Sequence, residues 1–157
     1  MDKMRDVVGK LMGDIGVGAI VVTSVGTISR EVCQVCDRPT NFYLMGSMGC
    51  ALGVGIGIAL NTSKQVYVIA GDGEILMSLG TLSVMRYLHL PNLALRIIDN
   101  HSYAATGGQP TCSSSVDFSK MAGCLVYHVV PEKTEAPRIP LTPEQITERF
   151  RHAIGSV

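Results

Sequence analysis

The sequence predicts an α/β domain: a three-layer α/β/α sandwich around a mostly parallel sheet. Three observations carry this. Short β-branched runs at 19–26, 64–70 and 93–98 alternate with segments of helical period. Gly or Asn follows the ends of these runs, as strand-ending turns require. Polar residues concentrate just after the second and third runs, where open α/β sheets bind ligands. The 157 residues suffice for one core-forming domain, taken as 1–157 with an irregular C-terminal extension over 131–157.

Each element has a local reason. Met4, Val7, Val8, Leu11, Met12 and Ile15 recur near every 3.6 residues, one apolar helix face. AIVVTSVG, residues 19–26, reads as a strand buried on both faces. A short helix is expected over 29–35, and DRPTNFY, residues 37–43, reads as turn. GSMGCALGVGIGIAL, residues 46–60, is expected to be helical, with Ser47 as its cap. Gly49, Gly53 and Gly57 would share one face of that helix. Each glycine costs about 1 kcal/mol of helix propensity, so a close packing partner or ligand is expected there. KQVYVIA (64–70) is a strand ended by GDG, and 74–88 reads as one helix. LALRII (93–98) is a strand that opens into the polar run DNHSYAATGGQPT, residues 99–111. LVYHVV (125–130) is a further strand, and 132–140 an irregular linker. Thr142 before Pro143 marks the start of a last helix.

Composition narrows the function classes. With 46% hydrophobic residues and no net charge, disorder is excluded. Lys and Arg number 13, as do Asp and Glu, which leaves no electrostatic footprint for nucleic acid. Only 17% of residues are charged, against about 25% in ordinary soluble domains, so part of the surface is expected to be covered by a partner. The first residues carry no secretory apolar region, and the longest apolar run, 45–60, falls short of the roughly 20 residues of a membrane span. Five cysteines, an odd number, fit reduced thiols in a cytoplasm.

The sharpest chemical feature is a pair of strand ends. Asp72 lies in GDG after one strand and Asn100 in DN after the next. Neighbouring strands would bring them together at one sheet edge. A carboxylate, an amide oxygen and a backbone carbonyl are hard ligands suited to Mg²⁺ or Ca²⁺. Gly71 and Gly73 would let a phosphate approach the start of the following helix. GxxxxGK[ST] is absent, and no GxGxxG opens a helix after a strand. The CxxC of Cys33 and Cys36 has no second pair, and the four histidines show no ligand spacing, which argues against zinc. His101, beside Asn100, is expected to touch substrate or cofactor.

The chain resembles the thiamine-diphosphate enzymes, whose motif runs GDG and then NN. In detail it resembles the diphosphate-binding half of sulfopyruvate and phosphonopyruvate decarboxylases. The resemblance rests on TISRE (27–31), DRPTNFYLMGSMG (37–49), GDGEILMSLGTLSVMR (71–86), IIDNHSYAATGGQPT (97–111) and RIPLTPEQITERF (138–150). It implies the thiamine-diphosphate-binding fold. It implies that Asp72, the Asn100 side chain and the Ser102 carbonyl hold Mg²⁺. Gly73 and Glu74 would donate backbone N–H groups to the diphosphate, and the Gly46 carbonyl would accept from the aminopyrimidine. Met48 would wedge beneath the cofactor. Ser47, Gly71 and Tyr103 are placed with the cofactor-binding residues, and His101 is the catalytic candidate. Glu74 sets a carboxylate beside the diphosphate, from which it must point away unless the metal screens it.

The same resemblance implies a partner. These enzymes set a glutamate against the pyrimidine ring from another domain, for which this chain has no room. In the sulfopyruvate enzymes that domain is a separate alpha subunit, and this chain resembles beta. A hetero-oligomer follows, inactive as an isolated chain. The implied reaction is decarboxylation of a 2-oxoacid, 3-sulfopyruvate to sulfoacetaldehyde and CO₂ as in coenzyme M biosynthesis. His101, Ser102 and TGGQ (106–109) are candidates for the anion pocket, with Gly107 and Gly108 exposing N–H groups. A phosphonopyruvate decarboxylase, a 2-oxoacid:ferredoxin oxidoreductase beta subunit and a non-catalytic cofactor-binding or regulatory subunit are the alternatives. Relatives carry a further strand and helix near 123–130, so the sheet is expected to lack an outer strand.

Overall fold

The structure, a computed structural model, describes residues 1–155. Five parallel strands form its sheet in the order β2-β1-β3-β4-β7. They are β1 (Ile20–Thr23), β2 (Asn41–Tyr43), β3 (Val66–Gly71), β4 (Leu93–Asp99) and β7 (Leu125–His128). A two-stranded hairpin of β5 (Ser102–Tyr103) and β6 (Gln109–Pro110) stands apart. All four residues of β1 are buried, because helices cover both faces.

Alternation along the strands sorts the core into two layers. Ile20, Val22, Val66, Val68, Leu95 and Ile97 face one side, where they meet α3 (Ala51–Leu60), α4 (Asp72–Met77) and α5 (Leu79–Leu88). Val21, Ile69 and Ile98 face the other, against α1 (Met4–Asp14) and α2 (Thr27–Cys36). The short α6 (Phe118–Ala122) precedes β7. The last helix, α7 (Pro143–Ile154), closes the β2 edge: its Ile146 joins one layer and its Phe150 the other. Thr142 and Gln145 form a full capping box at its start. Arg149 grips Asp37 with two hydrogen bonds of 2.7 and 3.0 Å. Among the described residues no helix is long and apolar enough to cross a membrane.

Several expectations need correction. Residues 41–43 are a strand, not part of a turn: Asn41 and Tyr43 are buried and pair with Val21 and Thr23. The helix expected from residue 46 starts at Ala51, and Ser47 makes no helix cap. The helix expected over 74–88 breaks at Ser78 into α4 and α5, and α4 already begins at Asp72. Gly53 and Gly57 face open space, whereas a Cβ on Gly55 would stand 2.2 Å from Val68 Cγ2. Gly55 is therefore the glycine that close packing demands, and the helix–sheet contact is its cause. β7 pairs directly with β4, and no described strand lies outside it.

Candidate active site

Strand order decides where the site falls. β1 sends its connection to β2 on one side, while the next crossover reaches β3 on the other. A crevice must open between β1 and β3 at their carboxyl ends. A cleft of about 140 Å³ lies there. Its walls include Gly26 after β1, Met48, Asp72 and Gly73 after β3, and Asn100 and Tyr103 after β4. The sequence brings Asp72 and Asn100 together because β3 and β4 pair in register up to Gly71 and Ile98.

Local chemistry fixes each wall. Gly26 has φ +79° and lets the chain turn from β1 into α2. Ser29 holds that turn by donating to the Ser24 carbonyl. Met48 is half-buried between two positive-φ residues, Ser47 (+61°) and Gly49 (+94°). The Cys50 N–H donates to the Ser47 carbonyl across it at 3.1 Å, so a tight turn presents Met48 to the cleft. Gly46 and Ser47 are exposed and lie outside the cleft wall. Gly73 faces the Tyr103 ring: a Cβ there would stand 2.4 Å from Tyr103 Cε1.

Three carboxylates are buried here, each 2% exposed. Asp72 accepts from Thr111 Oγ1 at 2.5 Å. Its carboxyl is held above the ordinary range, chiefly by burial and then by the neighbouring Asp99 charge. Glu74 lines the cleft and is tied to the next helix: its Oε1 accepts from the Ala51 N–H at 3.0 Å, at the first residue of α3. Glu74 Oε2 has no partner among the described residues. Asp99 Oδ1 accepts from the His101 N–H at 2.9 Å and Ser113 Oγ at 3.0 Å. Asn100, 5% exposed, accepts from the Ser102 N–H at 3.1 Å through Oδ1.

The site therefore joins Met48, Gly71, Asp72, Gly73, Glu74, Asn100, Ser102 and Tyr103 around one cleft. His101 is absent from its walls and lines a second groove with Asp99 and His128. Of TGGQ, only Thr106 reaches the cleft. The Gly108 N–H, expected to be free for an anion, is spent on the Tyr103 carbonyl at 3.1 Å. Sequence reasoning missed Thr111 and Ser113, whose hydroxyls depend on how the β5–β6 hairpin folds back. A sequence signal for Asp99 was present in the DN pair, but its burial beside Asp72 is a tertiary fact.

Comparisons with known proteins define the family of this chain. The model of the family "Thiamine pyrophosphate enzyme, C-terminal TPP binding domain" matches residues 24–153. A solved chain described as a thiamin diphosphate-dependent enzyme from Mycobacterium smegmatis superposes with a TM-score of 0.64 at 17% identity. That match covers 85% of this chain and 32% of the other, and shares the fold. Sulfopyruvate decarboxylase subunit beta of Methanocaldococcus jannaschii is 41% identical over 135 residues, 85% of this chain and 72% of that one. Its counterpart in Methanococcus maripaludis is 31% identical over 98% of this chain and 99% of the relative. Phosphonopyruvate decarboxylase of Streptomyces hygroscopicus is 42% identical over 77% of this chain, which spans 30% of that protein. The chain belongs to the thiamine-pyrophosphate-binding enzyme family, close to the sulfopyruvate decarboxylase beta and phosphonopyruvate decarboxylase group. It is an enzyme of the thiamine-diphosphate-dependent carboxy-lyase type, and its family reaction is decarboxylation of a 2-oxoacid.

Proposed function

We propose that this chain is the beta subunit of a decarboxylase that converts 3-sulfopyruvate to sulfoacetaldehyde and CO₂, and that it works only with an alpha subunit. One observation supports a partner. The cleft measures about 140 Å³, against the roughly 300–1,000 Å³ of pockets that enclose a drug-sized ligand. A cleft of that size suits one end of a cofactor, which supports the reading that a second chain covers the rest. The beta-subunit names of the methanogen relatives support the same reading.

The residues present fit thiamine diphosphate with Mg²⁺. The Asp72 carboxylate, Asn100 Oδ1 and the Ser102 carbonyl are the hard oxygen donors that would hold the ion. Gly73 and Glu74 open α4 and would offer backbone N–H groups to the diphosphate. Glu74 Oε1 is already committed to Ala51, which keeps that oxygen off the diphosphate. Met48 would supply apolar bulk beneath the cofactor, and Gly46, in the exposed turn before it, would accept from the pyrimidine. Bound there, the cofactor would supply an acceptor for the electron pair left when CO₂ departs. His101 is assigned no proton transfer, because it lies outside the cleft.

A second reading, phosphonopyruvate as substrate, is favoured by the 42% identity to the Streptomyces enzyme. The test is kcat/KM for sulfopyruvate, phosphonopyruvate and pyruvate on the two-subunit complex with Mg²⁺ and thiamine diphosphate. The sulfopyruvate value is expected to be highest, with no turnover by the isolated chain. A higher phosphonopyruvate value would overturn the substrate assignment. No turnover of any acid with cofactor bound would support the non-catalytic alternative.

A further inference from the structure

We propose that Asp99, His101 and His128 form a site for a divalent transition-metal ion of the zinc, cobalt or nickel kind, in a groove that adjoins the cleft. The sheet register assembles it. Asp99 ends β4 and pairs with His128, which ends β7. His101 follows two residues after Asp99 at φ +54°, a left-handed conformation that turns the chain back over the strand end. His101 Nδ1 lies 3.2 Å from Asp99 Oδ1, and His128 Nδ1 lies 3.7 Å from Asp99 Oδ2. One ligand atom from each residue lies within 4.8 Å of the others. Bonds of about 2.0–2.2 Å in a tetrahedron set ligand atoms roughly 3.3–3.6 Å apart, between the two histidine–carboxylate distances and inside the 4.8 Å that bounds the three atoms. The two rings are nearly parallel, at 19° with centroids 5.6 Å apart, so the side chains already stand side by side.

The surroundings suit an ion. Asp99 is almost wholly buried, and its position is fixed by the His101 N–H and Ser113 Oγ, which is how outer contacts orient a ligating carboxylate. The two imidazoles are about half exposed and face a groove of about 420 Å³, which leaves room for a water as fourth ligand. Ser113 Oγ now lies 2.6 Å from His101 Nδ1, and an ion would displace it from that nitrogen. Neither Asp72 nor Asn100 lines this groove. Two imidazoles with one carboxylate favour Zn²⁺, Co²⁺ or Ni²⁺ over Mg²⁺, which prefers oxygen alone. No ligand motif marks the site in the sequence, because its third member arrives from the neighbouring strand. A bound ion would also tie the exposed edge strand β7 to β4.

The test uses the full chain with saturating Mg²⁺. Zn²⁺ binding is followed by calorimetry, and Co²⁺ binding by visible absorption. One equivalent of either ion is expected, with the absorption of four-coordinate Co²⁺ and no thiolate-to-metal charge-transfer band. The charge-transfer control matters because Cys50 and Cys112 are exposed. His128→Ala and His101→Ala should each weaken Zn²⁺ binding at least tenfold, and His152→Ala, on the exposed face of α7, should leave it unchanged. His128 is exposed, so its variant should retain the thermal transition of the metal-free parent. Absence of binding, undiminished binding by His128→Ala, displacement by Mg²⁺ or a thiolate band would each overturn the proposal.

Discussion

Replacing Glu74 with alanine should unfold the link between the GDG segment and the Met48 turn. The side chain is 2% exposed and accepts from the Ala51 N–H, a group that is itself fully buried. Without that acceptor the N–H stays unpaired, a cost of about 1–3 kcal/mol. Loss of an anion at the start of α3 adds about 0.3–1 kcal/mol. Against this stands the unpartnered Oε2, whose burial already costs the parent something. The net expectation is a loss of about 1–3 kcal/mol in urea unfolding, with an unchanged m-value. Amides in the first turn of α3 should also lose hydrogen-exchange protection. Because the Cys50–Ser47 turn precedes that helix directly, cofactor affinity of the assembled enzyme should fall as well. A variant as stable as the parent, or one with intact protection at Ala51 and Leu52, would refute the capping role.

Two other outcomes follow from the same packing. The raised Asp72 carboxyl binds a proton more tightly folded than unfolded, so its stabilising effect is complete below the ordinary carboxylate pKa and is lost as pH rises through the raised value. In the absence of metal, stability should therefore fall with rising pH across that window; Asp72→Asn should flatten the slope, and urea midpoints against pH would show a persisting slope if the cause lies elsewhere. Gly55→Ala should destabilise by about 1–3 kcal/mol through overpacking onto Val68, while Gly53→Ala, which meets open space, should stabilise the isolated chain by up to about 1 kcal/mol. Equal effects at both positions in thermal unfolding would contradict the packing account.

Much of the fold was legible because its signals are local. The β-branched runs that became β1, β3 and β4 are buried on both faces, so hydrophobicity alone marks them. β2 was not legible: three residues, one of them Asn41, sit behind a proline-containing turn and are strand only because β1 offers them a ladder. Glycine roles in 46–60 were misplaced for a similar reason. Periodicity finds a face, but only the tertiary structure shows that Val68 approaches Gly55 and leaves Gly53 and Gly57 open. Asp72 and Asn100 were legible as strand-end residues, since a strand–helix–strand unit returns them to one edge. The orientation of His101 was not, because the left-handed turn after Asp99 and the position of His128 come from the sheet register.

The three buried carboxylates divide their compensation unequally, and that division points to where a cation belongs. Glu74 has the start of α3. Asp99 has a backbone N–H, a serine hydroxyl and two imidazoles. Asp72, equally buried, has the Thr111 hydroxyl and the Gly73 backbone N–H, set against the repulsion of Asp99. An isolated buried anion in such company is costly, and protonation or a divalent ion is the way out. Protonation would remove the charge that a cation needs, whereas an ion shared with Asn100 would both relieve Asp72 and present positive charge to a diphosphate. The carboxylate that a buried like charge repels thus lies beside the only switch-point cleft among the described residues, and that repulsion is the physical expression of the role proposed for it.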